Sequence, residues 1–474
     1  MTLTGLAFMA LFFSACAMAF ARHPVYGLVA YVATFYLHPP SRWWGASLPD
    51  LRWSLLAAGV TLLALIVSKK TIAPTIPLFK HKLMPWLVVL VIWLGLQQFW
   101  ALIPVMHMEL LTMYAKYVLL VGLIYRCVDS REHLRLFLWT HVLGCAYLGW
   151  IAFSEYEGGR FEGFGGPGIA EANAGALQVV TGMFVAASLF LAGKLGEKIG
   201  TAGCMPFILN ALVTTISRSG FLAAGSGGLI FNLFTPTRLR RRVRVISVLG
   251  VVLFALLTNP TYWMRIQSIQ EMGTEVEGVD TGSGRLDIMK AQLRMFAAHP
   301  LGCGHRCTVE LSPQYLDLRF LTGTDPDHLG RSSHNTFMTL LVEQGAPGAL
   351  MYVLLLLWIF ACVRSLRRHY KNDEGFEAML FPAVASILGA ITLGDMFVDY
   401  LKSEVRLWFL AVLMVLMNLA ARERKQAETS TSQTDVSKQK PVRTAVEERK
   451  VASGAAGRRA APRVEPRAPL RRRP

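Results

Sequence analysis

Charge is what this sequence has least of. Asp, Glu, Lys and Arg together make up 17% of 474 residues while hydrophobic residues make up 53%, and a soluble domain carries about 25% charged residues. Polar sequence sufficient to coat two or three water-soluble cores is missing. A dozen apolar runs of about twenty residues stand in its place, the length that crosses about 30 Å of hydrocarbon. Strand-length segments of alternating polarity are also missing, which excludes a transmembrane barrel. Acids are scarcer than bases, 31 against 48, for a formal charge of +17. The seven cysteines form no zinc-site pattern. Five lie in or beside apolar runs as small hydrophobes, whereas Cys303 and Cys307 share a polar loop and can pair if that loop faces an oxidising compartment. An internal repeat is not evident, which counts against inverted-repeat transporter folds.

What is present reads as an all-α polytopic membrane protein of about 12–13 transmembrane helices. The apolar runs are 3–20, 24–37, 53–68, 84–103, 107–125, 134–152, 173–192, 199–216, 218–234, 244–258, 336–363, 377–396 and 404–420. Basic residues gather in alternate loops: Lys69, Lys70, Lys80 and Lys82; Arg126, Arg131 and Arg135; Lys194 and Lys198; Arg238 to Arg244; and Arg364 to Lys371. The positive-inside rule makes that side cytoplasmic, together with the tail from Arg422, which holds fifteen Lys/Arg and six Asp/Glu. Basic charge distributed in this way reports orientation rather than nucleic-acid binding. The outer side then receives the loop 38–52, the Gly-rich stretch 153–172, the turn at Ser217 and Arg218, and the long segment 259–335. The chain divides into a membrane domain, 1–420, with 259–335 as a loop subdomain, and a disordered basic tail, 421–474, that can lie on anionic lipid.

Ionisable groups at span ends are costly and mark function. Arg218, between two apolar runs in Ser217-Arg218-Ser219-Gly220, needs an anion, and a guanidinium flanked by hydroxyls and a helix start suits phosphate. Arg285 opens an amphipathic helix, Arg285 to Ala298, whose apolar face reads as Leu286, Met289, Leu293 and Phe296 and which Pro300, Gly302 and Gly304 end. Arg160 lies just ahead of Asn173 at the entry of the next span. His334-Asn335 opens a further span in the spacing H-N-x9-G-x-x-G, and Pro347 and Gly348 are expected to break that span into a half-helix presenting His334. An imidazole titrates near neutrality and can accept a hydroxyl proton. Glu271, Glu275, Glu277, Asp280, Asp287, Asp325 and Asp327, with His328, read as a solvated acidic loop with no metal-site spacing.

Arg218 to Leu222 fits R-x3-L and His334 to Gly348 fits H-N-x9-G-x-x-G, and together these motifs resemble the O-antigen ligase and polymerase superfamily. The His38-Pro39-Pro40 and Trp43-Trp44 loop also resembles the O-glycosylation ligases associated with exosortase A systems. The resemblance implies a GT-C-like glycosyltransferase of the bacterial inner membrane with its active site facing the periplasm and its tail in the cytoplasm. Such an enzyme moves a glycan from undecaprenyl diphosphate to a hydroxyl of a lipid or protein acceptor, without metal or other cofactor. Arg218, Arg285 and Arg160 then hold the diphosphate and His334 serves the acceptor, with Asn335, Ser217, Ser219 and Asn173 in support. A single displacement aided by one base inverts the anomeric carbon. A repeat-unit polymerase of the same superfamily and a transporter of lipid-linked sugar are the alternative readings.

Overall fold

The structure, a computed structural model, describes residues 2–258, 284–322, 329–399 and 402–439. Among these residues the chain is helical and contains no sheet, only an isolated bridge between Thr322 and Gly330. The helices are α1 (Leu3–Ala21), α2 (Val25–Leu37), α3 (Trp53–Val67), α4 (Leu83–Gln97), α5 (Pro104–Cys127), α6 (Arg131–Ser154), α7 (Ala172–Ala192) and α8 (Leu195–Thr214). Then follow α9 (Arg218–Phe234), α10 (Arg240–Leu257), α11 (Gly284–Ala298), α12 (Cys307–Tyr315), α13 (Thr336–Glu343), α14 (Gly345–His369), α15 (Phe376–Gly394) and α16 (Glu404–Gln439). Helices form where the sequence is continuously apolar because, in lipid, each segment must satisfy its own backbone polar groups. Among the described residues, α1, α5, α6, α7, α14, α15 and the apolar part of α16 are the seven able by length and composition to cross a membrane, and α3 and α4 are shorter apolar helices.

Contacts divide the chain into two compact units, Met1–Ala420 and Ala421–Pro474. In the first, α7, α15 and the apolar stretch of α16 are buried almost throughout, with Trp408 fully enclosed. Their core carries a polar chain with a fixed direction. Gln178 Nε2 donates to Tyr36 Oη at 2.6 Å, Tyr36 donates to His141 Nδ1 at 2.6 Å, and His141 Nε2 then donates to Thr181 Oγ1 at 3.0 Å. The links stitch α2, α6 and α7 together and leave His141 as the Nε2–H tautomer. In the second unit, the sequence expectation of disorder from residue 421 does not hold up to Gln439, where α16 ends. Arg422 to Gln439 contains neither Pro nor Gly, so nothing stops the helix already running through it.

The basic loops meet at one end of the first unit. Arg131 pairs with Glu377, Arg135 Nη1 reaches Glu197 at 3.1 Å and Arg238 Nη1 reaches Glu374 at 3.9 Å. Asp129 there accepts from His23 Nε2 at 3.3 Å, His133 Nδ1 at 2.7 Å and the Ile72 amide at 2.6 Å. The remaining loops gather at the opposite end. Arg42 Nη2 donates to the Phe164 carbonyl at 2.7 Å, and the Leu102 amide to the Cys303 carbonyl at 2.9 Å.

At that opposite end the described part of 259–335 folds around a small core of Met295, Cys303, Cys307, Leu311 and Val342, and Cys303 and Cys307 are disulfide-bonded. Two sequence expectations change here. The packed face of α11 is Ile288, Ala291, Gln292 and Met295, whereas Leu286 and Leu293 are exposed; the helix carries two apolar stripes, and the one facing α12 and α13 is used. The run 336–363 does break, but at Gly345 rather than at Pro347 and Gly348. Gly345 has φ +69°, and a Cβ on it would lie 2.3–2.6 Å from the backbone of 300–302. Pro347 falls in the first turn of α14, where its missing amide costs nothing.

Candidate functional site

Arg160, Asn173, Ser217 and Ser219, far apart in sequence, form one network. Arg160 Nη2 donates to Asn173 Oδ1 at 2.9 Å, and Ser217 Oγ donates to the same oxygen at 2.7 Å. Ser219 Oγ lies 3.0 Å from Ser217 Oγ, which also caps α9 by accepting the Gly220 amide at 3.1 Å. The Gly-rich segment carrying Arg160 is held by the Phe161 amide on the Thr214 carbonyl and by Arg42 on Phe164. Arg218 is the first residue of α9, one step beyond this cap. Ile216, just before it, has φ +44°, a conformation costly for a β-branched side chain and one that surrounding contacts must impose. The first turns of α7 and α9 therefore open side by side, with their amide ends directed toward the same end of the bundle.

His334 is exposed, has φ +46° and shares a 3.0 Å hydrogen bond between its Nε2 and Ser332 Oγ. Asn335 caps α13, its Oδ1 accepting the Met338 amide at 3.1 Å. The start of α13 rests on the turn after α15: the Thr336 amide donates to the Asp395 carbonyl at 2.7 Å and Thr336 Oγ1 to the Val398 carbonyl at 2.7 Å. That turn is anchored from below. Arg406 Nη1 and Nη2 bind the two Asp395 carboxylate oxygens at 2.8 and 2.5 Å, Tyr352 also donates to Asp395, and all three residues are buried.

Close helix crossings relate the two clusters. A Cβ on Gly220 would meet Ala176 at 2.6 Å, and one on Gly394 would meet Leu177 at 2.6 Å. The turn bearing Arg218 and the turn supporting His334 thus flank the same early turns of α7, at the end opposite the basic loops. Arg285 is the second residue of α11 and its side chain lies outside the described part. The acids Glu271, Glu275, Glu277, Asp280, Asp325 and Asp327, with His328, also lie outside it, while Asp287 sits 3.6 Å from Lys290 on the surface of α11.

The region joining these helices has a recognisable relative. Residues 204–353 match the O-antigen ligase family model. The matched O-antigen ligase domain contains Ser217, Arg218, Ser219, Arg285, His334 and Asn335 and ends within α14; Arg160 and Asn173 precede it. The match supports an O-antigen ligase/polymerase-type glycosyltransferase function in broad terms, a family that implies a lipid-linked glycan donor and an acceptor, and the long apolar helices suit a multi-pass membrane protein. No curated protein matches the chain. Within the ligase domain the structure also shows groups that sequence reasoning missed. Glu343 bonds His305, and Tyr352 meets Arg406 from α16. The available signal was the presence of ionisable residues inside apolar runs, Glu343 in 336–363 and Arg406 in 404–420.

Proposed function

We infer that the protein transfers a glycan from undecaprenyl diphosphate to an acceptor hydroxyl at the periplasmic face of the inner membrane, inverting the anomeric carbon and using no metal. The observation carrying this reading is the convergence of Arg160 and Ser217 on Asn173, with Ser219 bonded to Ser217, next to Arg218, at two helix starts within and beside the O-antigen ligase domain. The departing lipid diphosphate gains negative charge in the transition state. Guanidinium groups and helix N-terminal amides placed beforehand stabilise that charge without reorganising, which is worth most where water is excluded. Arg218 and Arg160 bind the diphosphate, joined by Arg285 from the start of α11. His334 takes the acceptor proton, and the cap at Asn335 together with the turn at 395–398 fixes where its backbone stands. The disulfide between Cys303 and Cys307 supports an oxidising compartment for this end, and the gathering of basic loops at the other end supports a cytoplasmic side there.

The test is transfer by the purified full-length protein in nanodiscs, using lipid-linked glycan extracted from the native host and candidate acceptors. A product on a foreign acceptor is the expected result, abolished in Arg218→Ala and in His334→Ala with folding unchanged. A ladder of longer lipid-bound chains would instead identify a polymerase. Transfer at the native rate in either variant would remove that residue from the mechanism.

A further inference from the structure

We propose that His305 forms a saccharide-binding subsite next to the transfer centre, its bare Nε2 accepting a hydrogen bond from a sugar hydroxyl. The proposal rests on the function inferred above and adds a group that neither motif contains. His305 lies inside the disulfide ring Cys303-Gly304-His305-Arg306-Cys307. Its Nδ1 donates to Glu343 Oε2 at 2.8 Å, and both side chains are more than nine-tenths buried. With Nδ1 donating, the neutral ring carries its lone pair on Nε2, and this buried atom has no hydrogen-bond partner among the described residues. A buried acceptor without a donor costs about 1–3 kcal/mol, which a hydroxyl arriving there would recover.

The surroundings hold this ring firmly. Its backbone amide donates to His107 Nδ1 at 3.1 Å, and His107 Nε2 in turn donates to the Leu94 carbonyl at 2.9 Å. The amides of Cys303 and Gly304 donate to the carbonyls of Val342 and Glu343, and Trp100 Nε1 to the Gly302 carbonyl at 3.0 Å. Gly302 and Gly304 adopt φ +80° and +89°, and a Cβ on Gly302 would lie 2.5 Å from both Gln97 Nε2 and the Glu343 carbonyl. A loop tied on both sides with such economy of space presents one imidazole in one orientation. Trp100, 41% exposed and bonded to the Gly302 carbonyl of the same loop, offers an amphipathic ring on which a sugar face can pack. Glu343 is the last residue of α13 and His334 lies two residues before its first, and the eight-residue helix between them is about 12 Å long. That separation suits an oligosaccharide reaching from the reacting carbon to a hydroxyl one or two sugars away.

The experiment uses full-length protein in nanodiscs and, as probe, the free oligosaccharide released by mild acid from the lipid-linked pool of the native host. His305→Asn keeps a donor for Glu343 and removes the Nε2 position; Glu343→Gln keeps an acceptor for Nδ1 and should leave probe affinity within about threefold. The expected result is at least tenfold weaker binding in His305→Asn and a shift of the ¹⁵N signal of His305 Nε2 on adding probe to the wild type. Equal affinity in His305→Asn and wild type, or no binding by the wild type, would overturn the subsite. Should His305→Asn fail to fold, the ¹⁵N signal of wild-type His305 decides alone, an unmoved signal overturning it. The underlying function fails separately, if His334→Ala and Arg218→Ala both retain transfer while the His305 signal still responds. In transfer, His305→Asn should raise KM for the glycan substrate it contacts, and comparing donor and acceptor titrations tells which one that is.

Discussion

The two ends of the bundle use their polar residues in opposite ways. At the basic end, Arg131, Arg135 and Arg238 sit against Glu377, Glu197 and Glu374, so each cation meets a carboxylate. At the other end, Arg160 shares an amide oxygen with Ser217, and Ser219 extends the same chain of hydroxyls. Its carboxylate neighbour, Glu162, is a half-exposed residue at 3.4 Å. Arginines matched to carboxylates close a face. Arg160, oriented by a part-buried amide oxygen and facing a half-exposed carboxylate, keeps more of its charge for an anion that arrives later.

Substitutions can break this contrast. The largest effect is expected beneath the site, where Asp395→Ala leaves Arg406 charged and buried without its partner; such a break costs about 3–5 kcal/mol. Thermal unfolding should show the loss, whereas a shift smaller than a few degrees would mean that solvent reaches Arg406. Next come Arg218→Ala and His334→Ala, each expected to reduce transfer by about 10²–10³ with an unchanged melting temperature. Asn335→Ala removes the cap of α13 and should cost about 1 kcal/mol, while lowering turnover by letting His334 wander. Arg135→Ala at the basic end should cost about 0.2–1 kcal/mol and leave transfer intact; a strong transfer defect there would erase the distinction between the ends.

Acid sharpens the same comparison. Burial opposes ionisation of Asp129, but hydrogen bonds from His133, His23 and the Ile72 amide outweigh it and hold this carboxyl below the usual carboxylate range. A depressed folded pKa means that stability is present above the unfolded value, near 3.8, and is lost as pH falls through the folded one. Asp129→Asn should therefore lower stability at neutral pH and flatten its fall in acid, measurable as the midpoint of urea unfolding against pH.

Most of the helical framework is legible in the sequence because an uninterrupted apolar run permits only a helix in lipid. Loop charge likewise shows which loops share an end. Ser217, Arg218, His334 and Asn335 stand out because polar residues between apolar runs demand a reason. Other features depend on partners that sequence does not name. Leu286 looks as apolar as Ile288, and only the positions of α12 and α13 decide which one is buried. The break before α14 falls at Gly345 because the backbone of 300–302 lies against it, a contact across more than forty residues. Arg406 passes as one charge in a hydrophobic run until Asp395 is seen opposite it, and the His305–Glu343 pair likewise joins two segments with no shared motif.

The contact at Gly220 leaves the floor of the site little room to change shape, since a methyl group there would meet the Ala176 Cβ of α7 at 2.6 Å, whereas one at Gly394 would meet only the movable end of Leu177. A preference for one glycan over another then has to come from segments other than this floor, in this chain and in any protein that shares it. Grafting residues 259–335 from one such protein into another should exchange carbohydrate preference while the helices beneath keep their packing.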